Sequence, residues 1–257
     1  MRAYHGKEKV KREYVNRVRA HRDADELIQG YSYWSDGKGC AVGCTVHSHD
    51  HGAYERELGI PRTVARLEDG IFEGLPAAEA RLWPERFLEA IAPGADLQQV
   101  VDRFLHWLLV DEKDGVIRFA KTDRQRKVIT RVGDLYAQRI AGNNPAPECW
   151  YAATYGFSAD AAEAAAEAAA YGFAADAAEA AAEAATYGSH FAAGDNADAA
   201  NTAAEAAYAA AADAAEAAAE AATYGSHFAA GEQMRLRQAE KLIELLKTAP
   251  LTPSRKD

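Results

Sequence analysis

The sequence predicts an all-α protein, and three observations predict it. Large apolar residues recur at helical spacing through roughly the first 140 residues. Beyond them runs a long tract of alanine punctuated by acids, and alanine has the highest intrinsic helix propensity. A single stretch, Gly115 to Phe119, has the composition of a strand, and it is too short and isolated to build a sheet. The expected organisation is a helical N-terminal domain over 1–142, a linker over 143–150, an alanine-rich repeat of short packed helices over 151–231, and a terminal amphipathic helix and tail over 232–257. At 257 residues the chain is long enough for more than one core.

The first helix is expected from about Lys7 to Gln29, with Val10, Tyr14, Val18, Leu27 and Ile28 on one face and Gly30 as its stop. Its other face mixes Lys7, Lys9, Lys11, Arg12, Arg17, Arg19 and Arg22 with Glu8, Glu13, Asp23, Asp25 and Glu26. That mixture reads as a solvated face laced with ion pairs, since a phosphate-binding stripe carries fewer acids. An aromatic, glycine-rich loop follows, from Tyr31 to Gly39. Pro61 suits the first turn of a helix carrying Val64, Leu67 and Ile71. Pro84 opens another with Phe87, Leu88 and Ile91, closed by Pro93 and Gly94. Asp96 can cap a helix whose broad stripe is Leu97, Val100, Val101, Phe104, Leu105 and Leu108, and Thr122 can cap one holding Val128, Ile129, Val132, Leu135, Tyr136 and Ile140.

Gly142 to Pro147, rich in proline and asparagine, reads as the linker. Past it Tyr155-Gly156, Tyr171-Gly172 and Tyr187-Gly188 recur every sixteen residues, and Ala181 to Gly194 repeats letter for letter at Ala218 to Gly231. Sixteen residues at about 100° each turn the acidic stripe by roughly 160° per repeat, so one continuous rod has no consistent dry face. Short helices turning near each Tyr-Gly, each burying a small-residue face, are the expected arrangement. His190 and His227 follow Tyr-Gly-Ser in the repeat and read as turn residues. Met234, Leu236, Ala239, Leu242, Ile243 and Leu246 then define a terminal helix expected to pack on the N-terminal domain or on a second copy.

The net charge of -10 is uneven, because no lysine or arginine lies between Arg139 and Arg235. An acidic half of this kind repels nucleic acid and membrane headgroups, so neither is an expected partner, and a homo-oligomer built through the alanine helices is. The N-terminal residues lack the apolar core of a signal peptide, and no large-apolar run approaches a membrane span. Three cysteines, an odd number, do not make a secreted disulfide framework, so free thiols and a cytoplasmic location are expected.

Two segments carry candidate chemistry. The run Cys40-Ala-Val-Gly-Cys44-Thr-Val-His47-Ser-His49-Asp50-His51 holds five of zinc's preferred ligands, Cys40, Cys44, His47, His49 and His51. On a helix Cys40, Cys44, His47 and His51 form one stripe about 16 Å long, so one ion reaches only neighbouring members. A zinc site there needs a bend near Gly43 or outside ligands such as His5, His21 or Cys149. The run is a near miss for His-Glu-x-x-His, with serine where the base glutamate belongs, and for His-x-His-x-Asp-His, which is one residue longer. Packed, hydrogen-bonded side chains and surface histidines are the plain alternative. The second segment is Asp36-Gly37-Lys38-Gly39, where backbone N–H groups and Lys38 can hold an anion while Tyr31, Tyr33 and Trp34 stack on a flat ring. Its plain alternative is a glycine turn beside core aromatics. The carboxylate pairs Glu68-Asp69 and Asp111-Glu112 read as solvated helix faces.

The residues Gly39-Cys-Ala-Val-Gly-Cys44, Glu57-Leu-Gly-Ile-Pro61, Arg66-Leu-Glu-Asp69, Ile71-Phe-Glu73 and Trp83-Pro-Glu85 together resemble uncharacterised proteins found in bacterial and phage genomes, whose C-terminal parts are also alanine-rich and variable in length. The resemblance covers about the first half of the chain and the last helix, and it implies no activity, substrate or site residue. It implies that the first domain holds what is functional and that the repeats are an adjustable appendage. The reading that follows is a non-enzymatic binding protein, taking a small anionic or nucleotide-like ligand at Tyr31, Tyr33, Trp34, Lys38 and Gly39. The alternative is a metal-dependent hydrolase centred on the Cys40–His51 cluster, with zinc as the cofactor.

Overall fold

The structure, a computed structural model, describes residues 1–30, 34–48, 50–120, 123–146, 149, 153 and 228–252. These are mainly helical. Of the alanine-rich repeat expected over 151–231, residues 154–227 lie outside the described residues, as do Tyr31, Tyr33, His49 and Thr122. The chain divides into two compact units, one of Met1–Val101 with Gln238–Asp257 and one of Asp102–Arg237.

The first unit opens with a 3-10 turn, Ala3–Gly6, and then α1, Glu8–Asp23. Here the structure shortens the expected helix. The Ala24 N–H donates to the Ala20 carbonyl to close the last turn, Asp25 takes a left-handed φ of 59°, and the chain leaves as an extended segment in which Leu27 bridges to Gly39. The stop therefore falls six residues before Gln29. The glycine-rich loop is partly a hairpin, β1 Trp34–Ser35 against β2 Lys38–Gly39, with Ser35 opposite Lys38. Asp36 and Gly37 form its two-residue turn with φ of 51° and 81°, the doubly positive geometry for which Asp-Gly is suited. After it come α2, Ala41–Val46, a π-helical turn at Tyr54–Leu58, and α3, Arg62–Gly74. Then follow α4, Ala77–Ala80, and α5, Trp83–Ala90.

Proline starts are where the sequence places them: Pro61 precedes α3 and Pro84 occupies the first turn of α5. Helix α1 lies on α5 and α2, and α2 lies on α3. The core between them holds Val15, Val18, Tyr54, Leu58, Ile71, Phe72, Trp83, Phe87 and Leu88. Two of the ring polar groups inside it are tied down: Tyr4 Oη donates to the Leu88 carbonyl at 2.7 Å and Trp83 Nε1 to the Glu68 carbonyl at 2.9 Å. Lys11 Nζ caps the end of α5, donating to the carbonyls of Glu89 and Ile91 at 2.8 Å each. The basic face of α1 spends its charge on α5, since Arg19 Nε meets Glu85 at 2.8 Å and Arg22 also pairs with Glu85. The expected face is solvated and paired within its own helix; these two arginines pair instead with the largely buried Glu85 of α5.

Asp96 accepts the N–H of Gln98 at 3.1 Å and so starts α6, Gln98–Val110. In the second unit α6 continues with Phe104, Leu105 and Leu108 buried, and Asp111 Oδ1 takes the N–H groups of Lys113 and Asp114 in a tight turn. The strand expected at Gly115 to Phe119 is a 3-10 turn, Val116–Phe119. A chain with no neighbouring strand satisfies its backbone locally instead. Helix α7, Asp123–Ile140, buries Ile129, Val132, Leu135 and Tyr136, and its Arg139 meets Asp102 at 3.1 Å. Gly142, φ 86°, ends α7. The last helix, α8, is Phe228–Lys247. From Gln238 onward it belongs to the first unit, where Ala239, Leu242, Ile243 and Leu246 are buried and Arg86 pairs with Glu240. All three cysteines are free thiols, and no helix among the described residues is long and apolar enough to cross a membrane.

Candidate functional site

Helix α2 is the hub of the candidate residues, because Cys40 stands immediately before it and His47 immediately after. Its six residues are all buried, which leaves chemistry to its two ends. His47 takes a left-handed conformation, φ 52°, ψ 40°, and that breaks the stripe expected of a continuous helix through His51. Cys40, Cys44, His47 and His51 therefore do not share one helix face.

At the C-terminal end of α2, His47 meets His21 from the last turn of α1. The two Nε2 atoms are 2.8 Å apart, and Glu26 Oε2 lies 2.6 Å from His21 Nδ1. Burial, together with Arg17 and His21, lowers the His47 pKa, so the ring stays neutral near pH 7. Trp34, carried back by the hairpin, stacks on His47 with centroids 4.3 Å apart and planes at 18°, while His21 meets Trp34 edge-on at 5.3 Å. Lys38 is exposed on the neighbouring strand, and the Gly39 N–H is already donated to the Glu26 carbonyl at 3.1 Å. Of the expected ligand residues, Trp34, Lys38 and Gly39 thus share one small hairpin. His21, which the sequence offered only as an outside metal ligand, contacts Trp34, His47 and Glu26 from α1, and Glu26 was missed.

Cys44 is buried between backbone carbonyls, its Sγ 3.4 Å from Gly39 O and 3.6 Å from Glu26 O. Burial first, and Glu26 second, push its pKa up to about 12, so it is a protonated, packed thiol. His5 Nε2 is on the Glu57 carbonyl at 3.1 Å, and Cys149 belongs to the second unit.

At the N-terminal end of α2 the donors are different. Cys40, 1% exposed, comes together with Asp69 and Glu73 of α3, with one ligand atom from each lying within 4.8 Å of the other two. Among the described residues this is the group of three or more such donors close enough to share an ion. His51 Nε2 reaches Asp69 Oδ2 at 3.4 Å, and Glu73 Oε2 accepts the Gly30 N–H at 2.6 Å. Burial raises the Cys40 pKa and Asp69 raises it further, while the Val42 and Gly43 amides pull it down. Glu73 is raised by burial and, after the opposing Gly30 amide, by Asp69.

The Glu68-Asp69 pair corrects the sequence reading. Glu68 is not solvated: it is 0% exposed, its Oε2 accepts from Tyr54 Oη at 2.5 Å, and burial drives its pKa well up. Asp69 is largely buried too, and its Oδ1 has no hydrogen-bond partner. The signal was present in the spacing, because residue 68 falls on the stripe of Val64, Leu67 and Ile71. In comparison with known proteins, no family model, no curated protein and no solved structure matches the chain.

Proposed function

We propose that the protein is a non-enzymatic binding and interaction protein, which takes a small anionic, nucleotide-like ligand at the hairpin of Trp34, Lys38 and Gly39 and assembles with further copies through its alanine-rich helices in a reducing cytoplasm. The observation that supports the ligand half is the Trp34–His47 stack, edged by His21 and flanked by the exposed Lys38. An indole face gives a base or ring about 1–3 kcal/mol of stacking, and Lys38 supplies the charge for a phosphate. The Gly39 amide is engaged, so Lys38 carries the anion recognition. Support for assembly comes from the exact internal repeat and the acidic, alanine-rich composition.

Titration of the full chain with AMP, ATP and inorganic phosphate, read by tryptophan fluorescence and calorimetry, tests the ligand half. Trp34→Ala and Lys38→Ala are each expected to weaken nucleotide binding by roughly tenfold or more. Wild-type protein that binds none of the three, or variants that bind as well as wild type, would end this reading. Sedimentation velocity tests assembly, and a concentration-independent monomer removes it. The second reading, a metal-dependent hydrolase, draws on a separate observation, the convergence of Cys40, Asp69 and Glu73. It requires a metal to bind there first.

A further inference from the structure

Two of the three converging donors sit one turn apart on α3, Asp69 and Glu73, and the third is fixed at the start of α2. We infer that Cys40, Asp69 and Glu73 form a binding site for a divalent ion of the zinc class, with His51 holding Asp69 in place. The site does not depend on the nucleotide reading, since it uses none of Trp34, Lys38 or Gly39.

The donor chemistry selects the ion. A thiolate favours zinc over magnesium or calcium, and two carboxylates complete a borderline set that suits zinc or cobalt(II). Around a tetrahedral ion with metal–sulfur about 2.3 Å and metal–oxygen about 2.1 Å, donors stand roughly 3.3–3.6 Å apart. The observed set lies within 4.8 Å, so closing it takes shifts of about an ångström, well inside side-chain reach.

Electrostatics points the same way. Cys40 is buried and Asp69 is 13% exposed, and Glu73 brings a second carboxylate close to both. A dication placed among them favours a thiolate and both carboxylates at once. Asp69 Oδ1 is a buried carboxylate oxygen with no hydrogen-bond partner, a group whose desolvation is left uncompensated unless something fills the place opposite it. The other contacts have the form of outer supports. His51 Nε2 lies on Asp69 Oδ2 and the Gly30 N–H on Glu73 Oε2, which leaves one oxygen of each carboxylate for the ion. Three protein donors leave a fourth position for water or a ligand, the open pattern of reactive rather than purely structural zinc sites. The metal set thus differs from the one the sequence suggests: Cys44 is sealed among carbonyls and His47 is stacked on Trp34.

The test uses the full chain, stripped with chelator under reducing conditions and titrated with Co²⁺ alone, then with Zn²⁺ in competition. Expected is a near-ultraviolet thiolate-to-cobalt charge-transfer band that Zn²⁺ abolishes. Cys40→Ser should remove the band and Cys44→Ser should keep it. His51→Ala should weaken Co²⁺ binding on the order of 10–100-fold, and Asp69→Asn or Glu73→Gln by more than that. Circular dichroism accompanies each variant, and if Cys40→Ser unfolds, Asp69→Asn and Glu73→Gln decide the matter. The inference is overturned by a wild type without the band, by undiminished affinity in both carboxylate variants, or by a band lost with Cys44→Ser. Cobalt taken up without a thiolate band and lost in His47→Ala would place the ion on the His21–His47 pair and also overturn it. The outcomes at Cys40, Asp69, Glu73 and His51 use neither Trp34 nor Lys38, so the two readings fail separately.

Discussion

A carboxyl group closed off from water must find a donor, a cation or a proton, and Glu68 shows the last of these at work. Tyr54 gives it one short hydrogen bond, while its Oε1 is buried without a partner, and desolvation raises its pKa. The sign follows directly. In the unfolded chain the group ionises near 4.5, and in the folded one it ionises higher. Its contribution to stability is therefore full below that unfolded value and is lost as pH rises toward the folded one. Glu68→Gln keeps the size and an acceptor for Tyr54 but cannot ionise. Urea midpoints measured from about pH 5 to 8 should fall with pH in the wild type and fall less in the variant. Parallel pH profiles would sink the assignment. At this scale the sequence was half legible. Spacing puts residue 68 on the apolar stripe of α3, yet a glutamate beside an aspartate argues for solvent, and nothing local announces a tyrosine fourteen residues back as its donor. The same limit hid Glu26 and Asp69, whose roles arise from partners on other elements.

Helix starts were the legible part of the elements, because proline and aspartate act through their own backbone or their immediate neighbours. Pro61, Pro84 and Asp96 all lie where a start was expected. Stops and short pairings were less legible. The end of α1 is set by Asp25 in a left-handed turn and by the bridge from Leu27 to Gly39, a contact between segments that helical periodicity does not carry. The Asp36-Gly37 hairpin has only two residues on each side, too few to show alternation. One such stop has a measurable cost. Gly59 ends the π-helical turn with φ 63°, and a Cβ built there would lie 2.4 Å from the Arg2 carbonyl oxygen. A left-handed non-glycine residue alone costs about 1–2 kcal/mol. The clash with backbone, which cannot rotate away, adds to it. Gly59→Ala should thus destabilise by more than about 2 kcal/mol in chemical denaturation. Gly37, also at positive φ but with nothing within 4 Å of the added carbon, should lose only the conformational part. Equal losses at the two positions would show that the Arg2 approach contributes nothing.

At the scale of the whole molecule the sequence foretold a mainly helical chain and left the last helix either on the N-terminal part or on a second copy, and in the structure its second half belongs to the N-terminal unit, while residues 154–227 of the alanine-rich repeat fall outside the described residues. The return is built from backbone as well as side chains. The N–H of Ala3 donates to the Ala95 carbonyl at 3.0 Å, that of Asp96 to Pro250 at 2.8 Å, and that of Thr252 to Gly94 at 2.9 Å. The first and last segments of the chain therefore meet on the same short stretch, residues 94–96. Closure of a loop this long costs entropy that grows only slowly with its length, so a modest buried surface at the end of α8 can hold it. Leu242 and Leu246 are the centre of that surface, with Ile243 and Ala239 beside them. Leu242→Ala removes a fully buried side chain and leaves a cavity, an expected loss of about 2–5 kcal/mol. If Met1–Val101 and Gln238–Asp257 fold as one body, hydrogen-exchange protection should fall together in α1, α3, α5 and α8. Leu251→Ala, a side chain 64% exposed, should change stability by less than about 0.5 kcal/mol. Protection lost in α8 alone, with α1 and α5 unchanged, would mean that the terminal helix rests on the unit without belonging to it, and the contacts at 94–96 would then have to be credited to the tail rather than to the helix.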